Sequence, residues 1–426
     1  MAHQRVVLDN GLAVLTASIP HTPSVSMAVF VGAGSRYEAD RIAGVSHFLE
    51  HLLFKGSRLF PTAVQVSEAI EGVGGMMNAG TEREMTVYWV KVAKPHFPRA
   101  ITLLADMILH PLLHPQEMEK ERQVILEELR MSNDYPAHRV DLLLDQLLWP
   151  DQPMGRDVGG TIESVQAISR KDVLEYMGHQ YIPTNVLVVV AGDLSHREMV
   201  ESVRQSLQEW KPAEKPLAWY PAKNAQQAPR LKVEQRKTEQ AHIALGIPGL
   251  PLHHPRRYAL NLMSVILGEG MSSRLFVEVR EKRGLAYDVH SMVAHFRDCG
   301  SVVTYCGVEP TKASFAIETI LGELERLKES SVPQEELDKA KEFSKGRLLL
   351  RMEDTRSVAM WMGAQELLLG KVTTVEQVLK KVDAVTAEDV QAVAQQLLRP
   401  ETFNLAVVGP YRSDRRFARL LHQYRS

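Results

Sequence analysis

The chain has 426 residues, more than one hydrophobic core organises, so two or more domains are expected. It is 45% hydrophobic and 24% charged, with a formal net charge of -2. That is the balance of an ordinary globular chain, and it argues against nucleic acid as a partner. The two cysteines, Cys299 and Cys306, are too few for a disulfide framework and lack metal-ligand spacing, which fits a reducing compartment.

The N-terminus carries no basic stretch followed by an apolar core, so a cytoplasmic protein is expected. No apolar run reaches membrane-spanning length, so no membrane partner is expected. From residue 5 to 33, Val/Leu/Ala alternation broken by Asn10-Gly11 and by Pro20 to Pro23 predicts strands. Residues 44–56, GVSHFLEHLLFKG, predict a helix begun by Gly44 or Ser46. Residues 62–72 predict a second helix stopped by Gly72, and Gly74-Gly75 lead into two strands within GGMMNAGTEREMTVYWVKV. Helices are expected over 95–110, from Pro115 to about Met131, and over 137–149, 169–181 and 196–209, with a buried strand at 185–191. Residues 210–229 hold four prolines and no periodicity, and read as a linker.

The second half repeats the first. Ser169, Asp172, Pro183 and Gly192 recur as Thr386, Asp389, Pro400 and Gly409, each 217 positions on. Pro115-Gln116-Glu117 recurs as Pro333-Gln334-Glu335, 218 positions on. The expected organisation is a domain over 1–209, the linker over 210–229 and a homologous domain over 230–426. Each should be an α+β sandwich unit, an antiparallel sheet backed by helices on one face.

Within GVSHFLEHLLFKG, His47 and His51 are four residues apart and so share a helix face, with Glu50 beside them. Two imidazoles on one face of an otherwise apolar helix suit zinc, and a neighbouring glutamate suits a proton acceptor for water. The order histidine, two residues, glutamate, histidine is the inverzincin motif. The matching stretch of the second half, LNLMSVILGEGMSSRLF, lacks the histidines, so metal chemistry is expected in the first half only. Catalytic zinc usually takes a third protein ligand. The helix EMEKERQVILEELRM offers Glu117, Glu121 and Glu128 on one face, with Glu127 rotated away; spacing leaves the choice among those three open.

HFLEH, followed 77 residues after His51 by the second glutamate of ERQVILEE, resembles the pitrilysin and insulin-degrading enzyme family. It is most similar to the branch holding the mitochondrial processing peptidase and its bacterial relatives. The resemblance covers nearly the whole chain. It implies zinc ligands His47, His51 and Glu128, with Glu50 as general base and Glu121 supporting the ligands from behind. GGMMNAGTEREMTVY resembles the family's substrate-binding edge strand, which places Asn78 and Ala79 at the scissile region. SSRLFVEVREKRGLAYDV resembles the arginine–tyrosine motif, which implies that Arg280 and Tyr287 hold substrate and steady the oxyanion.

The reading is a zinc metalloendopeptidase acting on extended peptides or unfolded segments inside a closed chamber. The resemblance also implies a homodimer, or a heterodimer with an inactive homologue, with Arg280 and Tyr287 serving the partner's site. The rival readings are a non-catalytic core subunit and a peptide-binding chaperone of the same fold.

Overall fold

The computed structural model describes residues 3–211 and 216–423. It divides into two compact units. One comprises Met1–Leu129, Asp157–Tyr220 and Leu349–Val375; the other comprises Arg130–Arg156, Pro221–Leu348 and Glu376–Ser426.

The first unit is built on six strands: β1 Gln4–Val7, β2 Ala13–Ser18, β3 Ser24–Val31, β4 Met76–Thr81, β5 Thr86–Ala93 and β6 Val186–Gly192, ordered β1-β2-β6-β3-β5-β4. The second has five: β7 Arg230–Gln235, β8 Ala241–Pro248, β9 Ala286–His295, β10 Gly300–Val308 and β11 Asn404–Gly409, ordered β7-β11-β8-β10-β9. Apart from β1, the two orders coincide strand for strand. The repeat also extends to the caps. Ser169 with Asp172, and Thr386 with Asp389, form the same reciprocal capping box at the start of matching helices. The fold is thus α+β and internally duplicated.

Two details differ from the expected antiparallel sheet with helices on one face. First, each sheet is mixed. β6 lies between β2 and β3, parallel to the one and antiparallel to the other, and β11 sits in the same way between β7 and β8. The flanking strands run in opposite directions, so any strand inserted between them must be parallel to one of them.

Second, both faces of each sheet are covered. β3 (SVSMAVFV) and β6 (VLVVVAG) are apolar at almost every position, the mark of strands buried on two sides. Val25, Met27, Val29 and Val31 face a core shared with the helices of the first half. Ala28, Phe30, Leu187 and Val189 face Val358, Ala359 and Met362 on the helix Thr355–Leu369. In the second unit, Ala244, Ala406 and Val408 likewise face Val140, Leu143 and Leu144 on the helix Pro136–Leu148. Each unit therefore takes one covering helix from the other half of the chain, and the compact units cut across the division at residues 209 and 230.

The linker region is tied down on both sides of the segment 212–215, which lies outside the described residues. Trp210 donates to the Tyr181 carbonyl, Trp219 lies against the Arg36 guanidinium, and the Ala222 amide donates to Asp298. No helix among the described residues is long and apolar enough to cross a membrane.

Candidate metal centre

The histidine helix runs from Val45 to Leu53. It starts at Gly44, whose φ of 92° is open to glycine at little cost. An added Cβ there would stand 2.3 Å from the Gly159 carbonyl oxygen, so glycine is also needed for close approach. Glu38 supplies the cap that neither Gly44 nor Ser46 can: its buried carboxylate accepts from the Gly44 and Ser46 amides at 2.7 and 2.8 Å. A negative group at this end also suits the helix dipole. Val45, Phe48, Leu49, Leu52 and Leu53 are buried in the core, which leaves His47, Glu50 and His51 on the partly open side.

The second helix of the site runs from Pro115 to Asp134. Met118, Ile125 and Leu126 bury its inner face, and Arg122 ties it to the histidine helix by lying 5.3 Å from the Phe48 ring. Of the three aligned glutamates, Glu117 pairs with Lys120 at the surface. Glu121 is buried; its Oε2 lies 3.2 Å from His51 Nδ1, and its Oε1 lies 2.6 Å from Lys55 Nζ. Glu128 reaches both imidazoles: its Oε2 is 3.8 Å from His47 Nε2 and 3.6 Å from His51 Nε2. Glu127 is exposed.

The two Nε2 atoms are 3.2 Å apart. With Glu121 accepting the Nδ1 proton, His51 keeps its lone pair on Nε2. Burial, and then the facing His51 ring, lower the pKa of His47, which also favours a free lone pair. Three electron-rich atoms thus converge, one from each of His47, His51 and Glu128, all within 4.8 Å of one another. Glu128 Oε2 and His47 Nδ1 are buried with no hydrogen-bond partner. Such a group, with a buried and unpartnered carboxylate oxygen, could hold a cation, and two imidazoles with one carboxylate are a donor set that zinc accepts.

Glu50 stands beside this group. Its Oε2 accepts a hydrogen bond from Thr81 Oγ1 at 2.7 Å. Beneath it, Tyr88 and Tyr181 meet hydroxyl to hydroxyl at 2.8 Å. Burial raises both phenol pKa values, with a further push from the Glu50 charge, so the pair stays neutral.

Asn78 and Ala79 lie on β4, the last strand of its sheet, which packs beside the histidine helix. The Ala79 amide donates to the Asn78 side chain at 2.8 Å. Arg280 and Tyr287 lie in the second unit and meet there. The guanidinium is 4.6 Å from the Tyr287 ring centre and 4.7 Å from that of Phe276, and Nη1 donates to the Tyr287 carbonyl at 3.1 Å. The Tyr287 side chain is left exposed.

Sequence reasoning did not find Thr81, Lys55 or Glu38. Two of them left a signal. Met77 and Ala79 turn toward the core, so alternation carries Thr81 to the same face. Lys55 lies four residues after His51, one turn along the helix direction.

Comparison with known proteins identifies the family of the chain. Residues 13–162 match the model for insulinase (peptidase family M16), and residues 167–343 match that for the peptidase M16 inactive domain. An uncharacterized zinc protease of Streptomyces coelicolor is 37% identical over 98% of this chain and 91% of its own length. The chain belongs to the peptidase M16 family. A second relative, an uncharacterized zinc protease of Bacillus subtilis, is 35% identical over 96% of this chain and 98% of its own. Among solved structures, a protease from Helicobacter pylori superposes with a TM-score of 0.91 at 25% identity, covering 96% of this chain and 99% of that one. A chain of the complex III dimer from Candida albicans gives 0.86 at 19% identity over 99% of both chains, which shows a shared fold alone.

Proposed function

We propose that this chain is a zinc-dependent endopeptidase that cuts extended peptide segments. One observation carries the reading: His47, His51 and Glu128 converge within 4.8 Å, with the Glu50 carboxylate near enough for its charge to act on His47. His47 and His51 would hold zinc through Nε2 and Glu128 through Oε2. Zinc bound there would supply Lewis-acid activation of water and of the scissile carbonyl.

The chain's own residues do the rest. Glu121 orients the His51 ring, and Lys55 holds Glu121. Glu50 takes a proton from the attacking water and delivers it to the leaving amine. β4 offers a free edge to which a substrate backbone can add as a further strand, and Asn78 and Ala79 lie on that edge. Strand addition requires an extended substrate, so folded proteins are not cut.

Arg280 and Tyr287 are proposed to hold substrate and steady the developing oxyanion. Their mutual packing leaves the tyrosine ring available for this role. The family resemblance supports a homodimer in which each pair serves the partner's site. The non-catalytic and chaperone readings predict peptide affinity without turnover, and the convergent donor set beside Glu50 favours the enzyme. The test loads the purified chain with zinc and follows cleavage of a quenched-fluorescence peptide library. Turnover that a chelator abolishes and zinc restores supports the reading, and binding without cleavage refutes it.

A further inference from the structure

We infer that Thr81 is a positioning residue for the general base: its hydroxyl fixes which oxygen of Glu50 faces the water. The inference rests on the peptidase reading above. A glutamate carboxylate rotates easily about its last bond, so two chemically equal oxygens compete for any one position. Here the Thr81 hydroxyl donates to Oε2 at 2.7 Å. That bond leaves Oε1 as the oxygen free to receive a proton. A hydroxyl donor to a carboxylate is a charge-assisted bond, strong enough to select one rotamer. The nearby tyrosine hydroxyls of Tyr88 and Tyr181 bond to each other at 2.8 Å, and the bond that reaches the Glu50 carboxylate comes from Thr81.

Thr81 is also the last residue of β4, the strand whose free edge the reading assigns to substrate. Its partner across the sheet is Thr86, and its side-chain face continues that of Met77 and Ala79. The strand that would pair with the peptide is thereby bonded through one side chain to the group that acts on it. Substrate addition at β4 and the aim of Glu50 are mechanically joined, so a peptide that shifts the strand also shifts the base.

The experiment uses the full-length, zinc-loaded chain. Thr81→Val removes the hydroxyl and keeps the β-branched shape that suits a strand. Losing a hydrogen bond to a charged group predicts a fall in kcat of about tenfold or more, with KM changed by less than about twofold. Zinc content should equal that of wild type. Thr81→Ser restores the donor and should restore most of kcat. A Thr81→Val protein with wild-type kcat, or a serine variant as slow as the valine one, overturns the inference. Crystal structures of zinc-loaded wild type and Thr81→Val give a readout independent of turnover. Wild type should show one Glu50 rotamer bonded to Thr81, and the variant a rotated or doubled carboxylate. If zinc-loaded wild type cuts no peptide, the peptidase reading falls by itself, and the crystal comparison still decides whether Thr81 sets the carboxylate. An unmoved Glu50 in the variant overturns the inference whatever the activity.

Discussion

Glu121 lies 3.2 Å from His51 Nδ1 and is itself held by Lys55 at 2.6 Å. In the proposed site these contacts would fix the ring so that Nε2 faces the metal, and would raise its basicity. Glu121→Ala should therefore weaken zinc binding by about 10- to 100-fold without removing a ligand. Lys55→Met should act in the same direction, because it leaves the buried Glu121 carboxylate without its cation. Competition against a fluorescent zinc chelator measures both. Wild-type affinity in both variants would show that these contacts have no hold on the metal.

Glu128 and Glu127 are neighbours in sequence but differ in direction by about 100° on the helix. Only Glu128 reaches the imidazoles. Glu128→Gln should lose zinc on dialysis, and Glu127→Gln should keep it. Metal analysis of the two dialysed proteins decides, and equal retention would remove Glu128 from the ligand set.

Glu50→Gln keeps the length and shape of the side chain and the acceptor for Thr81, but it cannot take up a proton. Loss of a general base costs typically about 10²- to 10⁴-fold in rate, so hydrolysis should nearly vanish. Zinc content should stay at the wild-type level, since the residue supplies no atom of the donor group. Turnover close to wild type would exclude Glu50 as the base.

The histidine pair was legible because helix geometry alone fixes what residues four apart can do. Spacing left the third donor open, because Glu117, Glu121 and Glu128 share a face; the family resemblance singled out Glu128, and it is Glu128 that reaches both imidazoles. Thr81 was hidden for a different reason: its role depends on the separate helix that carries Glu50. The duplication was legible in Ser169/Thr386 and Pro183/Pro400, because caps and strand entries need particular residue types. The exchanged helices were not. Pro136–Leu148 and Thr355–Leu369 carry apolar faces, but a face does not name the sheet it will cover.

One glycine records that exchange. An added Cβ at Gly363, on the helix Thr355–Leu369, would lie 2.1 Å from the Phe30 ring on β3. Gly363→Ala should destabilise the fold by about 1–3 kcal/mol through overpacking, despite alanine's better helix propensity. Phe30→Leu in the same chain should recover part of the loss. Urea unfolding measures both, and an alanine variant as stable as wild type would mean that the helix stands off from the sheet.

Asp141 offers a pH-dependent test on the other covering helix, Pro136–Leu148. Burial, and then Asp145 one turn on, raise its pKa from 3.8 to about 6, while His138 and His290 pull weakly the other way. Its Oδ1 is buried with no hydrogen-bond partner. The folded chain thus keeps a proton that the unfolded chain has released. The sign follows: stability is fully present below 3.8 and is lost as pH rises through about 6. At neutral pH the loss is on the order of 2–3 kcal/mol. Asp141→Asn cannot ionise, so it should be more stable than wild type at pH 7. Its advantage at pH 7 should exceed that at pH 5 by about 1 kcal/mol or more. Urea midpoints of both proteins across this range give the difference directly. An advantage that does not change with pH would mean that Asp141 titrates as an ordinary solvent-exposed carboxylate.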